Sequence, residues 1–309
     1  MMTSLLPAGS IRRFGGYLRI FSISTAGLVL LGSMIGVLGS LVLPSIASAT
    51  TTTSVTLYAS PGGSGSCTSY SSPCTLGTAI STASTDSGNV IIELEHTNGT
   101  PCSTSSGCTF TYSANFSVSS GSEASLTIEG TGIGSESSAA SVLNGEDSGT
   151  TFTDSASFYD SATFAVTLEN VTVTGGNSGG NGGGILNNGG STMTVVDSTI
   201  SENSAGGNGG GIYNGGNMTV VDSTISGNSG GGGGGILNNG TTTLAGSIVA
   251  NSGGGNCAGA APTDAGYNLS NGTSCGFGTT SGSTSKDSVT NLDLATTLGG
   301  FSIEVQHLR

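Results

Sequence analysis

The chain has 309 residues, with 18 acidic against 5 basic side chains, a formal net charge of −13, and 56 glycines. So little Lys and Arg excludes a nucleic-acid partner, because neutralising phosphates needs a basic surface. It also excludes polyanionic substrates unless metal ions intervene. Six cysteines, none in a C-x-x-C pair, fit an oxidising compartment better than a zinc site.

Residues 1–49 read as an export signal. Arg12, Arg13 and Arg19 form a basic start, Ile20 to Leu43 is uncharged and largely apolar, Pro44 breaks any helix, and Ala47-Ser48-Ala49 is a small-x-small cleavage signature. Cleavage after Ala49 leaves only Lys286 and Arg309 as basic residues. The apolar stretch is also long enough to span a bilayer, so an uncleaved anchor is the alternative, and the leader is then the sole membrane contact.

Beyond the leader, "VTLYAS" from Val55 reads as a strand. "TLGTAISTAS" from Thr75 to Ser84 reads as a short helix that covers the open end of a stacked fold. "NVIIEL" near Ile91, "SLTIEG" near Ile128 and "FAVTLENVTVTGG" from Phe164 read as early coils. From Asn181 the chain repeats itself: Gly-Gly-Gly-Ile, then Met-Thr-Val-Val-Asp-Ser-Thr-Ile-Ser, then Asn. One series runs Val173, Ile200, Ile225, Ile248 in steps of 27, 25 and 23 residues, and a second runs Ile185, Ile212, Ile236 in steps of 27 and 24. A third runs through Asn203, Asn228 and Asn251.

Within each unit the apolar residues alternate with period two, so a unit is three short strands separated by turns rich in Gly, Asn, Asp and Ser. One unit cannot bury its own apolar face. Coiling the chain so that each strand pairs with its equivalent one turn later stacks Ile on Ile about 4.8 Å apart and lets the asparagines form an internal amide ladder. A stacked charge would repel its copies, so the repeat is nearly uncharged. Its exception, Asp197 over Asp222, aligns with Asn170 and is assigned to an exposed bend. The expected fold is all-β, a right-handed parallel β-helix with a short N-terminal capping helix. The expected divisions are 1–49 signal, 50–88 strand and cap, 89–256 coils, and 257–309 a disulfide-closed C-terminal region. Local spacing pairs Cys67 with Cys74, Cys102 with Cys108, and Cys257 with Cys275, among the 15 pairings that six cysteines permit.

Gly-Gly-Gly-Ile-x-Asn followed by Asp-Ser-Thr-Ile-Ser-x-Asn resembles the repeats of pectin-lyase-like right-handed parallel β-helix proteins, including bacterial polymorphic outer-membrane and adhesin-type surface proteins. The stretch "GSIVANSGGGNCAGAAPTDAGYNLSNGTSCGFG", from Gly246 to Gly278, is similar to the closing region of bacterial choice-of-anchor Q surface proteins. Such proteins continue into further strands and an anchoring segment, whereas this chain stops at "TLGGFSIEVQHLR", which leaves both its completeness and its anchoring open.

The resemblance also implies the chemistry to look for. Lyases of this type use a Lys or Arg base beside calcium held by clustered acids, and here Lys286 and Arg309 lie outside the repeat. Hydrolases need paired carboxylates. Glu146-Asp147, in "NGEDSGT", reads as a solvated turn. His96 and His307 have no nucleophile signature around them, and the serines form no G-x-S-x-G elbow. The glycine turns lack the Asp of calcium-binding repeats, so no metal or other cofactor is expected. The outward pairs Thr172/Thr174, Thr199/Ser201 and Thr224/Ser226 superficially resemble an ice-binding array, but β propensity accounts for hydroxyls on a solvated strand face. These readings weigh against catalysis without deciding it. They favour an exported surface protein that contacts extracellular glycans or other cell surfaces, with a polysaccharide-active enzyme as the alternative.

Overall fold

The computed structural model describes residues 54–86, 88–94, 109–113, 115–119, 125–130, 140–155, 164–278 and 285–287. All belong to the compact unit Thr50–Arg309. The expected export signal of residues 1–49, and His96, Cys102, Cys108, His307 and Arg309, lie outside the described residues.

The described chain is all-β but for one helix, and its strands pair in parallel throughout the three main sheets. The first sheet has eight strands, Ser54–Ala59, Asn89–Leu94, Ser125–Glu129, Ala165–Glu169, Thr192–Val196, Asn217–Val221, Thr241–Ala245 and Thr263–Asp264, stacked in chain order. The second has seven, from Thr109–Ser113 through Val171–Thr174, Thr199–Ser201, Thr224–Ser226 and Ile248–Ala250 to Leu269–Ser270. The third has six, from Phe116–Ser119 through Ile185–Asn187, Ile212–Asn214 and Ile236–Asn238 to Cys257–Gly259. Each later circuit of the chain therefore adds one strand to every sheet, a winding compatible with the expected parallel β-helix. Every strand meets its equivalent from the neighbouring circuit, which is why the sequence must repeat.

The core lies between the sheets and is built of columns. In the first sheet Leu57, Ile92, Ile128, Leu168, Val195, Val220 and Leu244 stack in register, all at most 3% exposed. In the third, Phe116, Phe152, Ile185, Ile212, Ile236 and Cys257 also stack in register, all buried. The expected helix spans Leu76–Ala83, and the Thr75 hydroxyl accepts the Thr78 N–H at 3.2 Å as its N-cap. Its buried Leu76, Ala79 and Ala83 form the face that packs on the first two strands of the first sheet.

Two corrections concern register. Ile225 pairs with Val249, not with Ile248, so the last step is 24 residues rather than 23. Val249 fills the core column. Ile248 instead stands opposite Thr224 on the outer side of the sheet, in a small separate cluster with Ala250 and Leu269. Asn251 likewise falls outside the ladder: it is exposed, adopts φ 53°, and exchanges hydrogen bonds with Asn271. The reason is the corner between the first and second sheets, which is one left-handed residue at Asn170, Asp197, Asp222 and Gly246. That spacing fixes the phase of the following strand, and in "GSIVAN" it puts Ser247 and Val249 inward. The winding also continues past Asn256, since Cys257–Gly259, Thr263–Asp264 and Leu269–Ser270 extend all three sheets.

Candidate functional site

Three buried polar ladders hold the corners of the winding, two of them beside the third sheet, where they set the shape of its surface. The amide of Asn203 donates to Asn228 Oδ1 at 3.0 Å and to the carbonyls of Val173 and Ser201, while Asn228 Nδ2 reaches the Ile200 carbonyl at 2.9 Å. In the next circuit Ser252 takes the corresponding place, and Asn256 Oδ1 accepts its N–H. A second amide ladder was not foreseen: Asn187 Nδ2 donates to Asn214 Oδ1 at 2.7 Å, and Asn214 Nδ2 to Asn238 Oδ1 at 3.2 Å. The repeated tripeptides Ile-Leu-Asn, Ile-Tyr-Asn and Ile-Leu-Asn carried that signal. A third ladder runs through Ser198, Ser223 and Ser247, where each hydroxyl bonds the carbonyl two residues back and accepts an N–H from the preceding circuit.

The glycine triplets before each third-sheet strand have separate physical causes. Gly182, Gly209 and Gly233 adopt φ of 66°, 66° and 55°, where L side chains are strained. A Cβ on Gly184 or Gly211 would lie 2.8 Å from the ladder amide of Asn203 or Asn228, and one on Gly210 would strike the Ser229 carbonyl of the next circuit. Side chains are thus excluded by close stacking on one flank of the third sheet. On its other flank stand Asn188-Gly189, Gly215-Gly216 and Asn239-Gly240.

Between these flanks the outward positions form a row of Thr153, Leu186, Tyr213, Leu237 and Ala258 in register. Leu186 and Tyr213 are half-buried, Leu237 is buried, and Asn239 Nδ2 donates to the Tyr213 hydroxyl at 3.2 Å. This apolar row with one anchored aromatic ring contains no ionisable side chain other than the Tyr213 phenol. A concavity of about 540 Å³ lies at the helix end and is lined by Ser60, Thr75, Ile80, Asn115 and Phe116 among others, with no ionisable group among its described lining residues.

The residues singled out for chemistry do not converge. Lys286 is exposed and bridges Leu269 at the end of the second sheet. Glu146 and Asp147 sit in an exposed turn at φ 54° and 55°. Asp222 is exposed and Asp197 half-buried. Burial, and then the neighbouring Asp222 charge, raise the Asp197 carboxyl above its ordinary pKa. Asp287 is raised as well, by burial and the Asp264 charge against the lowering effect of the Phe277 and Gly276 N–H groups. Among the described residues no group of three His, Cys, Asp or Glu could hold a metal ion.

Two outward features differ from expectation. Thr199 and Ser201 are 7% and 3% exposed, so the second-sheet hydroxyl pairs do not make a free array, and Ile248 and Ala250 interrupt it. Besides Asp197 over Asp222, charge stacks where it was not expected: Glu93, Glu129 and Glu169 stand in register on the outer face of the first sheet. Their scattered sequence contexts concealed the column until the strands were aligned.

The chain joins Cys67 to Cys74 and Cys257 to Cys275, with Cα separations of 4.8 and 4.9 Å. Two such bonds indicate an oxidising, extracytoplasmic environment. No helix among the described residues is long and apolar enough to cross a membrane. Comparison with known proteins finds no matching family model, no matching curated protein and no matching solved structure.

Proposed function

We propose that this chain is an exported, non-catalytic surface protein built as a right-handed parallel β-helix of the pectin-lyase-like kind, which contacts neutral glycans through the outer face of its third sheet. The observation that carries this reading is the row Leu186–Tyr213–Leu237, flanked by glycines and asparagines and free of acidic or basic groups. An aromatic ring with an anchored hydroxyl offers an apolar face for a sugar ring, and the flanking amides offer donors and acceptors to its hydroxyls. A stacked fold supports such a role because each circuit adds one outward side chain to the same row along a rigid length.

The test is a polysaccharide array probed with purified Thr50–Arg309, with reducing-sugar release and unsaturated-product absorbance followed on every hit. Binding without product, weakened at least fivefold by Tyr213→Ala, supports the reading. Product formation overturns it in favour of a polysaccharide-active enzyme, and an array without hits removes the glycan.

A further inference from the structure

The three sheets present three outer faces, and they differ. The middle outward column of the first sheet reads Thr56, Ile91, Thr127, Thr167, Thr194, Thr219, Thr243 and Thr263, each directly opposite the next. Seven of its eight members are threonine. The corresponding column of the second sheet is Thr111, Val142, Thr172, Thr199, Thr224, Ile248 and Leu269, and that of the third is Ser117, Thr153, Leu186, Tyr213, Leu237 and Ala258. Strand propensity favours threonine on all three faces alike, so it does not explain a column that persists on one of them only.

Over three consecutive strands the face around this column is free of charge, reading Thr192-Thr194-Val196, Asn217-Thr219-Val221 and Thr241-Thr243-Ala245. This holds in a chain with 18 acidic residues. Thr194, Thr219 and Thr243 are half-exposed, and no described group hydrogen-bonds their hydroxyls. Each threonine holds a hydroxyl beside a methyl on a side chain stiff at χ1. The backbone sets this column about 4.8 Å apart along the stack, and Thr192, Asn217 and Thr241 form a second polar column about 6.6 Å away along the strands. The result is a grid of groups that both donate and accept, separated by small apolar patches and ordered before any ligand arrives.

We propose that this face binds ice. A two-dimensional hydroxyl and methyl grid is complementary to an ordered water lattice, and its stacking repeat is close to the oxygen repeat of hexagonal ice. The lack of charge fits a neutral lattice. A crystalline polysaccharide is the weaker match, because sugar rings are held on aromatic platforms and these three strands carry no aromatic side chain. The face lies on a different sheet from the Tyr213 row, so the two sites stand or fall separately.

The experiment measures thermal hysteresis and ice-crystal shaping with the purified full chain, the variant Thr194→Lys/Thr219→Lys, the variant Thr194→Ser/Thr219→Ser and, as a control, Tyr213→Ala. The expected result is faceted crystals and a measurable freezing gap for the parent chain and for Tyr213→Ala. The lysine pair should lower the gap at least tenfold with an unchanged melting curve. Should that variant fail to fold, the serine pair removes only two methyls and is expected to lower the gap severalfold. A parent chain that neither shapes ice nor delays its growth overturns the proposal, as does a gap unaffected by the variants. Adsorption to crystalline cellulose in place of ice also overturns it.

Discussion

The circuits from Ala165 to Ala250 and those before Ser155 share sheets but not their means of holding together. In the early circuits the third-sheet column is filled by Phe116 and Phe152, and the first sheet carries the outward acids Glu93 and Glu129, with Glu169 closing that stack. In the repeated circuits the same interior column is Ile185, Ile212 and Ile236, next to the buried amides of Asn187, Asn214 and Asn238. Large rings fill an irregular circuit without needing a copy above or below. An amide ladder works only when every circuit supplies a rung at the same place, so it demands sequence identity. The near-verbatim phrase therefore appears where the stabilising groups are polar and fades where they are apolar.

This contrast can be broken by mutation. The largest effect is expected for Ile200→Asp, which buries an unpaired charge in a column one residue wide; a loss of more than about 4 kcal/mol should leave no cooperative melting transition. In the early circuits Phe152→Ala should cost roughly 3–5 kcal/mol by leaving a cavity no neighbour can fill, read by chemical denaturation. In the repeated circuits Asn214→Ala removes the acceptor of Asn187 and of the Gly216 N–H and the donor to Asn238 and Thr242. It should cost roughly 2–4 kcal/mol, because buried partners are left unsatisfied. A loss no larger than that of a surface asparagine would mean that the ladder does not stabilise these circuits.

Smaller effects sharpen the comparison. Asn228→Ala should cost on the order of 1–3 kcal/mol, whereas Asn251→Ala, at an exposed corner, should stay within about 0.5 kcal/mol. Equal losses at the two positions would place Asn251 back in the ladder. The smallest change is expected for Asp197→Asn, since Asn170 already occupies the equivalent left-handed corner. The Asp197 carboxyl has a raised folded pKa, so its favourable contribution is present below the ordinary carboxylate range and is lost as pH rises through the folded value. The variant should therefore melt slightly higher than the parent at neutral pH, by well under about 1 kcal/mol after solvent screening, and the two should converge in acid.

Much of the winding was legible in the sequence because parallel stacking writes one circuit on top of another. The interior positions of Val173, Ile200, Ile225, Ile185, Ile212 and Ile236 follow from period-two alternation combined with the repeat. The phase of a strand is harder, because a slip of one residue exchanges its faces. "Ile-Val-Ala" offers apolar side chains in either phase, and the left-handed corner at Gly246, with the serine ladder through Ser198, Ser223 and Ser247 beside it, decides that Val249 faces in and Ile248 out. The Asn187–Asn214–Asn238 ladder was visible as a repeat, but its burial was hidden, since asparagine in a glycine-rich stretch also reads as a turn residue. The candidate contact row had no sequence signature of its own. Leu186, Tyr213 and Leu237 vary in type and become a surface only when their strands lie side by side.

The sequence by itself determined that the chain stacks parallel strands around a narrow apolar core, that its repeats carry almost no charge, and that Gly-Gly-Gly must precede each third-sheet isoleucine. These follow from identity at a fixed spacing, which local and stacking physics both require. The tertiary structure alone decided which residues share a column across circuits of unequal length. Thr127 and Thr167 are 40 residues apart and Thr219 and Thr243 are 24 apart, yet both pairs stand directly opposite on one face. Insertions between circuits change the sequence interval without changing the strand pairing, because a loop can lengthen at little cost while the backbone hydrogen bonds hold the register.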